Sequence, residues 1–306
     1  MGETATIIDG NSLAADTREW IARRVEAVRS RGGEVRLDAV LVESGDNAAR
    51  QYADNQARTC EALGIRYRLH GLAPSAAYDD IAGRVLLLNA DDAVTAMMVH
   101  LPMPDGVDAY SVQRLIDPGK DVEGVNPANI GNVVYGRSSL APCTALAALE
   151  LVRSTGIELR GKRAVVVGAG DVVGKPIAVL LMRREATVVS CNKWTSGIED
   201  MCRSADVLIA AAGVPELVRG DWIRPGAVVI DVGVNRVKSS EGGRKTIGDV
   251  AFEEACSVAG WISPVPGGVG PMTVAMLLSN VVEAAERRVG IPNPGVADSG
   301  NPKAAS

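Results

Sequence analysis

The stretch Arg163-Ala-Val-Val-Val-Gly-Ala-Gly-Asp-Val-Val-Gly-Lys-Pro176 decides how the rest of the chain is read. Ala164 to Val167 is a short apolar run, the pattern of a strand buried on both faces of a parallel sheet. Gly168, Gly170 and Gly174 then turn the chain into a helix expected to run to about Met182. Small residues in such a turn let a pyrophosphate approach the backbone, and the N–H groups that open the helix point at the anion. The spacing, G-x-G-x-x-x-G, is one residue longer than the usual dinucleotide fingerprint. The alternative reading is a tight βα turn without a ligand. The strand before the glycines and the helix after them favour the nucleotide.

Outward from this turn, strands are expected at Thr187–Ser190, Val207–Ala210 and Val228–Val232. Gly213-Val-Pro215 and Gly233-Val-Asn-Arg236 are then strand-end loops facing one crevice. Pro264-Val-Pro-Gly-Gly-Val-Gly-Pro-Met-Thr273 reads as a second glycine- and proline-rich loop, and Val274 to Arg288 as an apolar helix returning to the first domain. The Gly-, Pro-, Ser- and Ala-rich segment after Ile291 is expected to be disordered.

Upstream, residues 1–10 read as a short arm. Helices are expected at Asn11–Ser30, Asp46–Leu63 and Ala77–Asn89, and strands at Leu37–Val42, Ile65–Leu69 and Ala93–Val99. This half is α/β without a glycine-rich turn, and Leu101-Pro-Met-Pro104 ends its last strand at the sheet edge where ligands bind. Ile116 to Pro127, rich in Pro, Gly and charge, reads either as a surface linker or as a functional loop. Cys143 to about Thr155 is expected to be a helix joining the domains. The division is therefore 1–145, completed by a helix at about 274–290, then 146–273, then a tail at 291–306.

The composition narrows the function classes. The chain has 306 residues, 47% of them hydrophobic, and a single Phe, so aliphatic side chains must fill its cores. That suits two parallel α/β layers. A net charge of −5 offers no basic footprint for nucleic acid. No apolar run reaches membrane-spanning length, and no signal-peptide pattern opens the chain, so a cytoplasmic protein is expected. The five cysteines include no C-x-x-C pair and read as reduced thiols. Two histidines, His70 and His100, exclude a histidine-rich metal site, and no metal is expected.

Six segments together resemble the bifunctional methylenetetrahydrofolate dehydrogenase/methenyltetrahydrofolate cyclohydrolase family. They are Leu101–Pro104, Lys120-Asp-Val-Glu-Gly124, Pro142-Cys-Thr144, Val173-Gly-Lys-Pro176, Gly226 to Arg236 and Pro264 to Thr273. The resemblance implies two α/β domains, the second a Rossmann-like doubly wound parallel sheet, with a folate cleft between them, and a homodimer. It implies hydride transfer from 5,10-methylenetetrahydrofolate to a nicotinamide cofactor, then hydrolysis of the methenyl cation. It assigns Tyr52, Gln56, His100, Leu101, Glu123, Gly270 and Pro271 to the folate pocket. Gly168, Ala169, Gly170, Lys193, Val234 and Thr273 are assigned to the cofactor.

The chain departs from this family at matched positions. The family has a tyrosine and a lysine at i and i+4 on the first domain's long helix; here the pair is Tyr52 and Gln56. A glutamine amide carries no charge and is neither acid nor base near neutral pH. The resemblance gives that lysine to the cyclohydrolase step, so this step is expected to be weak or absent. The alternative is that Gln56 is a helix-surface residue. His100 stands where the family has glutamine before Leu-Pro-x-Pro, and can give a hydrogen bond or move a proton. Glu123 replaces the pterin-binding aspartate and extends it by roughly 1.5 Å. Three such changes point to a specialised dehydrogenase. The alternatives are a cyclohydrolase with a rewired site, or a folate-binding homologue without catalysis.

At the cofactor turn the family's Gly-Arg-Ser is Gly168-Ala169-Gly170, without the arginine that helps hold a 2′-phosphate. No acidic residue follows at the position that would select NAD. Lys193 is placed to meet a 2′-phosphate, so NADP is favoured, with NAD as the alternative.

Overall fold

The computed structural model describes residues 4–43, 47–137, 140–238 and 243–292. Its elements begin with β1 (Thr6–Ile7), α1 (Gly10–Ser30), β2 (Arg36–Val42), α2 (Asn47–Ala62), β3 (Arg66–Leu72), α3 (Tyr78–Ala90) and β4 (Ala96–Val99). Next come α4 (Ala109–Gln113), α5 (Pro127–Tyr135), α6 (Cys143–Ser154), β5 (Arg163–Val167), α7 (Gly174–Met182), β6 (Thr187–Cys191) and α8 (Ile198–Arg203). The last are β7 (Val207–Ala210), β8 (Val228–Asp231), β9 (Asn235–Lys238), β10 (Arg244–Ile247), α9 (Phe252–Cys256), β11 (Trp261–Ile262) and α10 (Val269–Arg288).

Two compact units result, one of Met1–Asp16 and Pro142–Met276, the other of Thr17–Ala141 and Leu277–Ser306. The first is built on a six-stranded sheet of order β1-β11-β8-β7-β5-β6, with every neighbouring pair parallel. Its central strands are runs of Val, Ile, Leu and Ala because both faces are covered. From β5 the chain moves outward to β6 and then crosses back to β7. The carboxyl ends of β5 and β7 thus flank the point where strand order reverses, where a parallel sheet opens a crevice. The β9–β10 hairpin is antiparallel and separate.

The second unit carries a parallel sheet of order β3-β2-β4. β2 is buried along its whole length, and its reversal point lies where β4 ends. Within this unit Arg24 of α1 holds Glu286 of α10 through two contacts of 2.8 and 2.6 Å, which fixes the two helices side by side.

Some expectations are revised. Part of the residue 1–10 arm is β1, a two-residue edge strand paired with β11. α10 starts at Val269, so Gly270, Pro271 and Thr273 lie in helix rather than loop. Proline is tolerated there because a first-turn N–H has no helical partner. In the loop before it, Gly267 has φ +105 and a Cβ on Gly268 would meet the Pro264 carbonyl at 2.6 Å. Those two glycines therefore serve packing. β4 is shorter than read and β3 starts and ends later. α6 belongs to the first unit. Asp46, expected to start a helix, and residues 293–306 of the tail lie outside the described residues.

The surface-linker reading of Ile116 to Pro127 fails. Lys120, Asp121 and Val122 are buried. Met97 donates to the Lys120 carbonyl at 2.7 Å and Met97 bridges Asp121 in parallel, so the segment runs along the free edge of β4. Asp121 accepts from the amides of Gly124 and Asn126 and from Asn129 Nδ2.

Candidate active site

In the second unit, α2 buries Ala53, Gln56 and Cys60, one stripe at helical spacing against the sheet. Gln56 is 3% exposed, so it is a core-facing residue and not a surface one. Neither its Oε1 nor its Nε2 has a hydrogen-bond partner among the described residues. An unpartnered buried amide costs about 1–3 kcal/mol. Such a group is kept either for a ligand or as the remnant of a different side chain.

Tyr52, one turn earlier, reaches His100 edge to face, with centroids 5.9 Å apart at 84°. His100 follows β4, and its amide donates to the Val40 carbonyl at 2.8 Å, extending the ladder by one residue. Its ring is buried, and its Nε2 lies 3.4 Å from the Tyr67 hydroxyl. Burial pushes the His100 pKa down to about 4. Burial also pushes the Tyr67 phenol up. Both are therefore neutral near pH 7. Glu123, beyond the other edge of β4, accepts a hydrogen bond from the Val99 amide. Its pKa rises to about 7, mainly through burial and further through the Asp121 charge. Leu101, next to His100, is half exposed.

Lys120 is the one lysine among the described residues of this unit. Its Nζ donates to the carbonyls of Leu88, Asn89 and Asp91 at 2.9, 2.7 and 2.8 Å, closing the C-terminus of α3. No described lysine of this unit is left for proton transfer. Tyr52, His100 and Glu123 thus gather around the end of β4, with Tyr67 added, and Gln56 lies one turn of α2 beyond Tyr52. The sequence places Tyr67 in a strand but not beside His100, because that neighbour depends on strand register.

In the first unit the three glycines of the turn after β5 meet different surroundings. Gly168 has φ +108, and a Cβ there would meet Ala211 O at 2.2 Å. A Cβ on Gly174 would meet Gly168 O at 1.7 Å, so helix α7 packs on the turn itself. Gly170 faces open space. The α7 N-cap residue, Val173, makes no side-chain cap. Nearby, buried Asp249 accepts from the amides of Ala212 and Gly213 and from Asn235 Nδ2. Asp231 accepts from those of Gly233, Asp249 and Val250. These carboxylates, unread from sequence, hold the loops after β7 and β8. Lys193 stands beside the exposed Trp194, its Nζ 5.1 Å from the ring centroid. Val234 is exposed, and Thr273 Oγ1 donates back to Val269 O.

Residues 8–123 match the tetrahydrofolate dehydrogenase/cyclohydrolase catalytic domain, and 142–289 its NAD(P)-binding domain. The chain belongs to the tetrahydrofolate dehydrogenase/cyclohydrolase family. A relative within it, the bifunctional protein FolD of Moorella thermoacetica, is 46% identical over 92% of this chain and 99% of its own length. The FolD dehydrogenase/cyclohydrolase structure from Campylobacter jejuni matches with TM-score 0.87 and 38% identity, covering 93% of this chain and 99% of that one. The FolD structure from Trypanosoma brucei, complexed with NADP and an inhibitor, matches with TM-score 0.86 and 35% identity over 94% and 99%. The family's fold is the two-domain α/β arrangement expected from the sequence. Among the described residues no helix is long and apolar enough to cross a membrane.

Proposed function

We propose that the chain oxidises 5,10-methylenetetrahydrofolate to the 5,10-methenyl form, with NADP as acceptor and with cyclohydrolase activity weak or absent. What carries this reading is position 56. A buried, uncharged and unpartnered glutamine stands where the resemblance gives the hydrolytic lysine, and Lys120 is committed to α3.

The nicotinamide, when bound, accepts the hydride. The residues' task is to bind and orient, since the substrate nitrogens themselves stabilise the developing cation. Glu123 takes the donor edge of the pterin, His100 and Tyr52 line the pocket beside Gln56 and Leu101, and the resemblance assigns Gly270 and Pro271 to the same substrate. The Gly168–Gly170 turn and the start of α7 hold the pyrophosphate, Lys193 the 2′-phosphate, and Val234 and Thr273 the remainder. A homodimer working in the cytoplasm completes the proposal.

A rewired cyclohydrolase using His100 as base is disfavoured, because a pKa near 4 makes His100 a weak base at neutral pH. A non-catalytic folate binder is disfavoured by the intact cofactor cradle. The test follows reduced nicotinamide and methenyl product separately, with NADP and with NAD. Cofactor reduction is expected, with the methenyl product accumulating and lost only as fast as it hydrolyses spontaneously. Rapid formyl production refutes the hydrolase part, and no reduction refutes the whole.

Glu123 sets a pH dependence. Ionised Glu123 accepts the pterin donors, and its pKa near 7 means that protons compete for it at ordinary pH. kcat/KM for the folate should fall about tenfold per pH unit below roughly 7 and level off above it. Glu123→Gln should lower the plateau and flatten the profile; a wild-type profile flat down to pH 5 would remove Glu123 from substrate binding. At the other end, Lys193→Ala should raise the NADP KM about fivefold, the scale of an exposed ion pair, and leave that for NAD unchanged. Equal effects on both cofactors would take Lys193 off the 2′-phosphate.

A further inference from the structure

We propose that Tyr67 is a positioning residue for His100, its phenol donating to Nε2 so that His100 turns an Nδ1–H donor toward the folate. The inference rests on the reading above, in which His100 lines the folate pocket.

Sheet register brings the two residues together. Tyr67 on β3 and Ala96 on β4 both pair with Leu37 of β2. His100 lies four residues past Ala96, so alternation puts it on the same sheet face as Tyr67, with β2 between. The phenol oxygen then stands 3.4 Å from Nε2.

The direction of the bond follows from what each group lacks. A neutral phenol has one proton, and among the described residues His100 Nε2 is its sole acceptor. If Nε2 carried the hydrogen instead, the part-buried phenol proton would have no acceptor among the described residues. A neutral imidazole has one N–H and one lone pair, and the bond at one nitrogen sets the proton at the other. Burial keeps both groups neutral. The Val40 carbonyl holds the His100 backbone and the Tyr52 ring restrains its imidazole, so the remaining freedom is the tautomer. Nδ1 forms no hydrogen bond among the described residues.

The experiment is nitrogen-15 NMR of the imidazoles in the full-length protein. The chain holds two histidines, and the signals lost in His100→Gln are those of His100. Wild type is expected to show the Nδ1–H form. Tyr67→Phe, which keeps the ring, should move most of the population to Nε2–H and lower kcat for 5,10-methylenetetrahydrofolate about tenfold, with the cofactor KM unchanged. Nε2–H in the wild-type protein, or a tautomer unaltered by Tyr67→Phe, overturns the proposal. A shifted tautomer with undiminished kcat overturns the positioning role. The tautomer is read without turnover, so the direction of the bond is measurable even in a protein that fails to oxidise the folate.

Discussion

Gln56→Lys is expected to speed hydrolysis of the methenyl product by at least about 10²-fold over the wild-type chain, the lower end of what one general acid–base residue contributes. The site is prepared for it. The carboxamide of Gln56 is buried and bonded to nothing among the described residues, so its removal breaks no network. A lysine there shares the face of Tyr52, one helical turn away. Burial lowers the pKa of an ammonium toward neutrality, which turns an ordinary lysine into a usable proton carrier. The decay of authentic methenyltetrahydrofolate, measured against the buffer rate, checks this. A rate that stays at the buffer value would mean that position 56 alone does not separate the two activities, and that Glu123 or His100 must also revert. Gln56→Met is the control. It fills the same space without polar atoms and should leave hydride transfer intact while raising stability by about 1–2 kcal/mol, the relief of an unpartnered amide. A large rise in the folate KM in Gln56→Met would instead make the amide a substrate contact.

The same physics explains which parts of this chain can be read without coordinates. β5, β7 and β8 are covered on both faces and so appear as unbroken aliphatic runs, and the packing demands on Gly168 and Gly174 leave glycines at fixed spacing. β1 and β11 span two residues each, too short for any periodicity to show. The start of α10 is hidden by Pro271 and three nearby glycines, which read as a loop although two of them serve the turn before the helix. Gln56 is visible as a departure, but its burial requires knowing which stripe of α2 meets the sheet. Tyr67 and His100 are 33 residues apart and meet only through register. The hardest segment is Ile116 to Pro127, whose charge and proline content match a solvated linker. Its lysine and aspartate instead find their partners inside the protein, and composition cannot distinguish a charge satisfied by water from one satisfied by backbone.

That segment yields the second large effect. Lys120→Met should destabilise the three-stranded unit by about 3 kcal/mol, from three buried or part-buried carbonyls losing a charged donor at about 1 kcal/mol each or somewhat more. Helix α3 ends at Asp91 in an extended conformation, φ −83 and ψ 109, without the left-handed glycine that often satisfies the last carbonyls. The Lys120 ammonium does that work instead, its three protons matched to three oxygens, and its charge sits at the negative end of the helix dipole. Burial pulls its pKa down, so the group is held against a desolvation cost that only those acceptors offset. A unit of this size should lose roughly 6–12 °C in Tm. Methionine retains the unbranched stem, which isolates the lost hydrogen bonds from lost packing. The consequence extends to chemistry, because the Lys120 carbonyl ties this segment to Met97 and Glu123 follows three residues on. The folate KM should rise in Lys120→Met while the cofactor KM stays as in wild type. An unchanged Tm would show that water satisfies the α3 carbonyls equally well. An unchanged folate KM in a destabilised variant would show that Asp121 and its three donors hold Glu123 in place without help from the lysine.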